Sequence, residues 1–236
     1  MLRLSNEYGY GGLIMATPKK GYYNAAGKRI PGVTTILGRF KESGALMHWA
    51  FKQGQEGKAH LYEERDQAAN TGTLAHEMVE NYVNGANPMS ILKGHDSATK
   101  EGALNAYQMF REWHENSKIE IISKWQEIQM VSETYQYGGT PDAIGRDAKG
   151  RLCLLDWKTS NSVYSDYGLQ LAGYAQLWEE NNPGDPITGG FHICRFSKDH
   201  PDFSHHYYAD LSLEWEQFKS YREAYTRDKA ISKRYR

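Results

Sequence analysis

Apolar residues along the chain recur with a period of two in some stretches and of three to four in others, which predicts strands and helices in alternation. In GYYNAAGKRIPGVTTIL (residues 21–37), Asn24 to Lys28 separates two strand-like runs and predicts a hairpin, which with LIMA (13–16) makes a small accessory sheet. Residues 45–59 and 60–70 are rich in Ala, Glu, Lys and Gln and read as helical, although Gly54 and Gly57 weaken the first. A helix capped by Thr73 is expected to run to about Asn84, with Ala75, Val79, Tyr82 and Val83 as its apolar stripe. His76 and Glu80 sit one turn apart beside that stripe. Another helix, over 97–116, gathers Ala103, Ala106, Tyr107, Phe110 and Trp113 on one side.

From residue 119 the period changes. IEIISKWQEIQMVS (119–132), GGTPDAIGRD (138–147) and RLCLLDWK (151–158) read as three strands of an antiparallel meander, with Ala148 to Gly150 as the last turn. LCLLDW is apolar on both faces up to its aspartate, the pattern of a buried central strand whose end delivers charge to a cleft. A helix from about Asp166 to Asn181 follows, stopped by NNPG. GGFHICRF (189–196) and HHYYAD (205–210) add strands, and 211–232 form a closing helix. The expected organisation is one domain over 1–236, with the hairpin and helical region at 1–118 and a core at 119–236.

Composition narrows the classes. Of 236 residues 39% are hydrophobic, with 6 Trp and 17 Tyr, enough for a substantial aromatic core. The net charge of −1 excludes a protein that coats nucleic acid by bulk electrostatics, so any such contact must come from local patches. The basic candidate is the carboxyl end, where Lys219, Arg222, Arg227, Lys229, Lys233, Arg234 and Arg236 outnumber the acids; a solvated helix face would look the same. Two cysteines, Cys153 and Cys194, give no disulfide framework and cannot supply the four thiolates of an iron–sulfur cluster. With no apolar run of about 18 residues and no signal-peptide pattern, neither membrane insertion nor secretion is expected, and the location is read as intracellular.

The chemistry concentrates at the ends of two predicted strands. On LCLLDWK, Asp156 and Lys158 project together while Trp157 points away. Asp142 opens the preceding strand, after two glycines and a proline, where it can reach across to its neighbour. Two carboxylates can share a hard divalent cation such as Mg2+, which takes oxygen ligands and keeps several waters. Lys158 is then placed to serve an attacking water or a phosphate oxygen. An isolated Asp-x-Lys is often only a solvated charge pair, and GGTPD alone is a common turn. Their conjunction points to metal-dependent phosphodiester cleavage.

Pro141-Asp142 followed by Asp156-x-Lys158 resembles the signature of the PD-(D/E)XK nuclease superfamily. QLAGYA (170–175), with Gln170 and Tyr174, and TGTLAH (71–76), ending in His76, are similar to motifs of its RecB-like exonuclease branch, which includes phage and mitochondrial-type enzymes. The resemblance implies an α/β, restriction-endonuclease-like αβββαβ core with a central mixed sheet flanked by helices. It also implies Mg2+ or Mn2+ held by Asp142, Asp156 and His76, with Lys158 assisting the water. Glu127 suits the further glutamate of the branch, a metal ligand that a second ion could use, better than Glu133 does, against the alternative of a surface glutamate on an edge strand. Glu80 is a candidate to orient His76. Gln170 and Tyr174, four apart on a helix, are expected to line the site and position DNA, with Thr159 in support, although helix packing would use them equally well. The implied activity is a metal-dependent DNA exonuclease acting from free, preferably single-stranded ends in recombination, repair or replication, with a partner protein from those processes. A structure-specific or restriction-type endonuclease, or a non-catalytic subunit that binds DNA ends, is the alternative.

Overall fold

The computed structural model describes residues 21–40, 51, 54, 55, 57 and 61–235, with the backbone only at 61–65. In chain order, hairpin strands β1 (Tyr22–Tyr23) and β2 (Arg29–Ile30) lead into helix α1 (Val33–Phe40). Helix α2 (Leu61–Val83), a 3-10 turn (Pro88–Leu92) and helix α3 (Ser97–Ser117) come next. Five strands follow: β3 (Glu120–Gln126), β4 (Met130–Ser132), β5 (Tyr137–Gly139), β6 (Ala143–Arg146) and β7 (Leu152–Lys158). Helix α4 (Ser165–Asn181), strands β8 (Phe191–Phe196) and β9 (Phe203–Tyr208) and helix α5 (Ser212–Arg234) complete the chain.

The five-stranded sheet has the order β3-β6-β7-β8-β9. Its β7 and β8 are parallel and its other neighbours antiparallel. Parallel neighbours need a crossover, and α4 supplies it. The succession α3-β3-β6-β7-α4-β8 is the αβββαβ order expected from the sequence. Both faces of β7 are covered, which is why it is apolar up to Asp156 instead of alternating. Cys153, Leu155 and Trp157 pack with Leu74 and Met78 of α2 and with Phe110 and Trp113 of α3. Leu152 and Leu154 pack on the opposite face with Ile36 of α1, Leu171 and Trp178 of α4 and Phe218 of α5. Each large side chain buried in this way contributes roughly 1.5–3 kcal/mol, so α2 and α4 are held firmly against the strand. By the same two-residue period, Asp156 and Lys158 emerge on the α4 face.

The apolar stripe of α3 is as expected: Ala103, Ala106, Tyr107, Phe110 and Trp113 are all buried. Asp96 caps the helix, its carboxylate accepting from Thr99 N at 2.9 Å, and Lys118 in the left-handed region ends it. Cys153 and Cys194 are free and buried. No helix among the described residues is long and apolar enough to cross a membrane.

Four local expectations are corrected. The second run of the hairpin ends at Ile30, and Val33 starts a helix that buries Val33, Ile36 and Leu37 at helical spacing. Thr73 is no cap but lies inside α2, which runs unbroken from Leu61. Its hydroxyl donates to Ala69 O at 3.1 Å, and that of Thr71 to Gln67 O at 2.9 Å, so residues that favour a break bond back into the helix instead. The run 119–132 is two strands. Glu127 sits between them with φ 48°, and its N–H donates to Asp142 O at 3.0 Å, while β4 leaves the sheet to pair with β5. GGTPDAIGRD is divided too, because Pro141 lacks the N–H a ladder needs, and only Ala143–Arg146 joins the main sheet. LIMA and most of 45–60 lie outside the described residues.

Candidate active site

The end of β7 meets four other elements. The ammonium of Lys158 forms an ion pair with Asp156, while Trp157 turns to the other face against Phe110 and Trp113. Asp142, one residue beyond Pro141, stitches three elements together. Its Oδ2 accepts the Trp157 N–H at 2.5 Å, and its Oδ1 lies 3.2 Å from His76 Nδ1. His76 reaches it from α2, whose Leu74, Ala75, Met78 and Val79 are buried while the imidazole keeps 30% exposure toward the cleft. A Cβ at Gly72 would stand 2.9 Å from Thr159 Oγ1, so glycine there lets α2 approach the end of β7.

A cavity of about 420 Å3 lies at this junction. It is lined by every residue singled out from the sequence as catalytic, metal-binding or supporting: His76, Glu127, Asp142, Asp156, Lys158, Thr159, Gln170 and Tyr174, with Glu80 beside them. Glu133 is elsewhere, accepting from Ala25 N of the hairpin at 2.7 Å. Gln170 Nε2 donates to the Tyr174 hydroxyl at 2.8 Å, so the pair forms one polar unit on α4.

The cavity also contains residues that sequence reasoning missed: Tyr22, Thr34, Glu77 and Thr140. Tyr22 donates to or accepts from Thr140 Oγ1 at 2.9 Å. The signal that could have revealed it is the Gly138-Gly139 pair. A Cβ on Gly138 would meet the Tyr22 ring at 2.3 Å, and one on Gly139 the Tyr174 ring at 2.7 Å. Each glycine therefore makes room for one tyrosine of the site. Gly138→Ala is expected to displace Tyr22 and to destabilise the fold by about 1–3 kcal/mol through overpacking. A thermal melt checks this, and an unchanged Tm would mean that the hairpin yields freely.

Three of the seven cations of the carboxyl end are engaged internally. Lys219 pairs with Glu216 and Arg227 with Glu223, and Arg222 donates to Gln136 O at 2.8 Å. Among the described residues Lys229, Lys233 and Arg234 enter no ion pair, and Arg236 lies outside them.

The electrostatics of the cavity favour a cation. Burial raises the Asp156 carboxyl to about 6; Lys158 opposes that rise and Asp142 adds to it. Glu127 is pushed up to about 10, first by burial and then by Asp142 and Glu80. Burial works against ionised Asp142, yet His76, Lys158 and the Trp157 N–H outweigh it and hold this carboxyl below its ordinary value. His76 is raised in turn: burial disfavours its charge, but Asp142 prevails. Several carboxyls crowded into one buried space, some retaining protons, describe a site short of positive charge.

The donor set fits a divalent cation. One ligand atom each from His76, Glu127 and Asp142 lie within 4.8 Å of one another. Asp156 stands outside this tight trio, its buried Oδ2 held toward the Lys158 ammonium. Two carboxylates and an imidazole converging in one buried space, with a third carboxylate beside them, suit a hard ion such as Mg2+ or Mn2+.

The chain matches the sequence profile of the PD-(D/E)XK nuclease superfamily over residues 22–233 and belongs to that superfamily. It accordingly has the restriction-endonuclease-like fold, in a nuclease superfamily that uses divalent metals. No curated protein sequence matches it at a significant level. Among solved structures it is similar to one described as a "Putative exonuclease" from Eubacterium rectale, with 16% identity and a TM-score of 0.43. That match covers 65% of this chain and 64% of the other, so the chain spans a little under two thirds of that protein's length. A second similar structure, SSO0001, has 15% identity and a TM-score of 0.31, with 76% of this chain and 86% of the other covered.

Proposed function

We propose that this protein is a nuclease, a Mg2+- or Mn2+-dependent DNA exonuclease of the RecB-like branch that works from free ends in recombination, repair or replication. The observation that carries the proposal is the meeting, in one cavity, of Asp142, Asp156 and Lys158 with His76 from α2 and the Gln170–Tyr174 pair from α4. Asp142, Asp156, Glu127 and His76 would hold the cation. A bound divalent ion supplies Lewis-acid polarisation of the phosphate and a more acidic water.

The remaining roles belong to this chain's own groups. Lys158, kept protonated because Asp156 and Asp142 outweigh the effect of burial, donates toward a phosphate oxygen and offsets the negative charge that grows during attack. Gln170 donates to Tyr174, which leaves the phenol's own proton for a phosphate or sugar oxygen. Burial, then the Asp156 charge, raises that phenol well above its ordinary value, so it stays a donor. Gly72 and Gly139 fix the spacing of α2 and α4 around the reacting atoms.

The test is incubation with Mg2+ and end-labelled single-stranded, duplex and closed circular DNA, read by product length over time. Progressive shortening of linear DNA with circles intact is the expected result. Cleavage of circles would establish an endonuclease instead, and binding without turnover under either cation would leave an end-binding subunit.

A further inference from the structure

A second cavity, of about 520 Å3, adjoins the acidic one and shares Tyr22 and Thr34 with it. Its described walls bring together Arg29 from the hairpin with Tyr225 and Lys229 from α5, and contain no acid. The neighbouring cavity is the opposite, lined by five carboxyl groups. Arg29 and Lys229 are exposed, and neither enters an ion pair among the described residues. Asp228, the acid next to Lys229, is occupied by the Arg39 guanidinium through two bonds of 2.9 Å. Lys229 Nζ lies 5.5 Å from the centre of the Tyr225 ring.

A nucleic-acid strand carries a charge at every phosphate. In the acidic cavity a cation can accept the scissile phosphate, but the phosphates on either side need another source of positive charge. Arg29 and Lys229 can provide it, because the cavity they line shares Tyr22 and Thr34 with the acidic one. Tyr22 and Tyr225 line the same cavity, and aromatic rings beside a cationic groove are how unpaired strands are held without regard to sequence. A duplex keeps its bases turned inward and offers these rings nothing.

We propose that this basic cavity binds single-stranded DNA, seating the nucleotides next to the scissile phosphate, with Arg29 and Lys229 on phosphates and Tyr22 and Tyr225 against bases. The placement relative to a scissile phosphate rests on the nuclease assignment of the acidic cavity. The test is fluorescence anisotropy in EDTA, with a labelled 12-nucleotide oligothymidylate and a labelled 12-base-pair duplex, over a range of KCl. Compared with wild type, Arg29→Ala/Lys229→Ala is expected to bind the single strand at least about fivefold more weakly. Its salt slope should be shallower by about 1.4, as two lost phosphate contacts on a single strand require. Lys93→Ala/Lys149→Ala, which removes the same charge elsewhere on the surface, should bind like wild type.

Melting curves of both double variants should match wild type, since all four side chains are exposed. Unchanged affinity and slope in the Arg29/Lys229 variant would overturn the site. So would an equal loss in the Lys93/Lys149 variant, or an equal loss on the duplex. Wild-type protein that hydrolyses no DNA with any divalent cation would defeat the nuclease assignment, while the EDTA titration would still decide whether this cavity binds a strand.

Discussion

Asp156→Asn is expected to lower Mg2+-dependent DNA hydrolysis by a factor on the order of 10²–10³ or more while leaving the fold in place. Asparagine keeps the shape of the side chain on β7 but removes the charge that faces both the cation site and Lys158. It therefore strikes the reaction in two ways. The site loses a buried anionic oxygen that lines the cavity, and the ammonium of Lys158 loses the partner that, with Asp142, favours its charge. Removing one member of a buried pair can destabilise, but the Asn amide oxygen can still accept from the amine and the Asp142 carboxylate remains near. The measurement is kcat/KM on an end-labelled single strand, with the metal titrated to saturation and the melting curve recorded beside it. Activity within tenfold of wild type, in a variant that melts normally, would remove Asp156 from the mechanism.

How much of this was legible beforehand depends on where information is stored. Strand β7 was readable because burial on both faces leaves an unbroken apolar run, and alternation alone then put Asp156 and Lys158 on a common side. Helix α3 was readable because its stripe of Ala103, Ala106, Tyr107, Phe110 and Trp113 is regular. Pairing of β4 with β5 was not, because the departure from the main sheet turns on one backbone angle at Glu127, and glutamate is no marker for a positive φ. The same departure carries Glu127 into the cavity. Residues 71–73 misled for a related reason. Thr-Gly-Thr has the propensities of a boundary, but packing of Leu74 and Met78 against the sheet face sustains the helix through it. Tyr22 was missed because its role depends on Gly32 and on Gly138, more than a hundred residues away, which give its ring a place to lie. The basic tail shows the converse: of seven cations in sequence, Lys219 and Arg227 are paired with Glu216 and Glu223 about one turn away, and Arg222 is bonded to a carbonyl.

Binding of Mg2+ or Mn2+ is expected to release protons and to tighten as pH rises. The reason is the state of the metal-free site. Glu127 has an ordinary value of 4.5 and is pushed up to about 10 by burial, Asp142 and Glu80, so at neutral pH it carries a proton in the native chain that the unfolded chain has lost. A folded-state value above the unfolded one makes the native state the stronger binder of protons. The associated stability is complete below 4.5 and declines as pH climbs toward about 10. A cation requires the ionised carboxylate, so it competes with that proton and relieves the crowding that held it there. Three results should follow together. Calorimetric heats of Mg2+ or Mn2+ binding at about pH 7.5 should differ between buffers of different ionisation enthalpy by roughly one proton's worth. The metal-free Tm should fall from pH 6 to 9 in wild type but less steeply in Glu127→Gln, which should melt higher than wild type at the upper end of that range because no carboxylate must be kept out of water there. The same substitution should weaken metal affinity and reduce the proton release. Identical heats in all buffers, with parallel melting profiles for the two proteins, would show that Glu127 neither stores the proton nor answers to the cation.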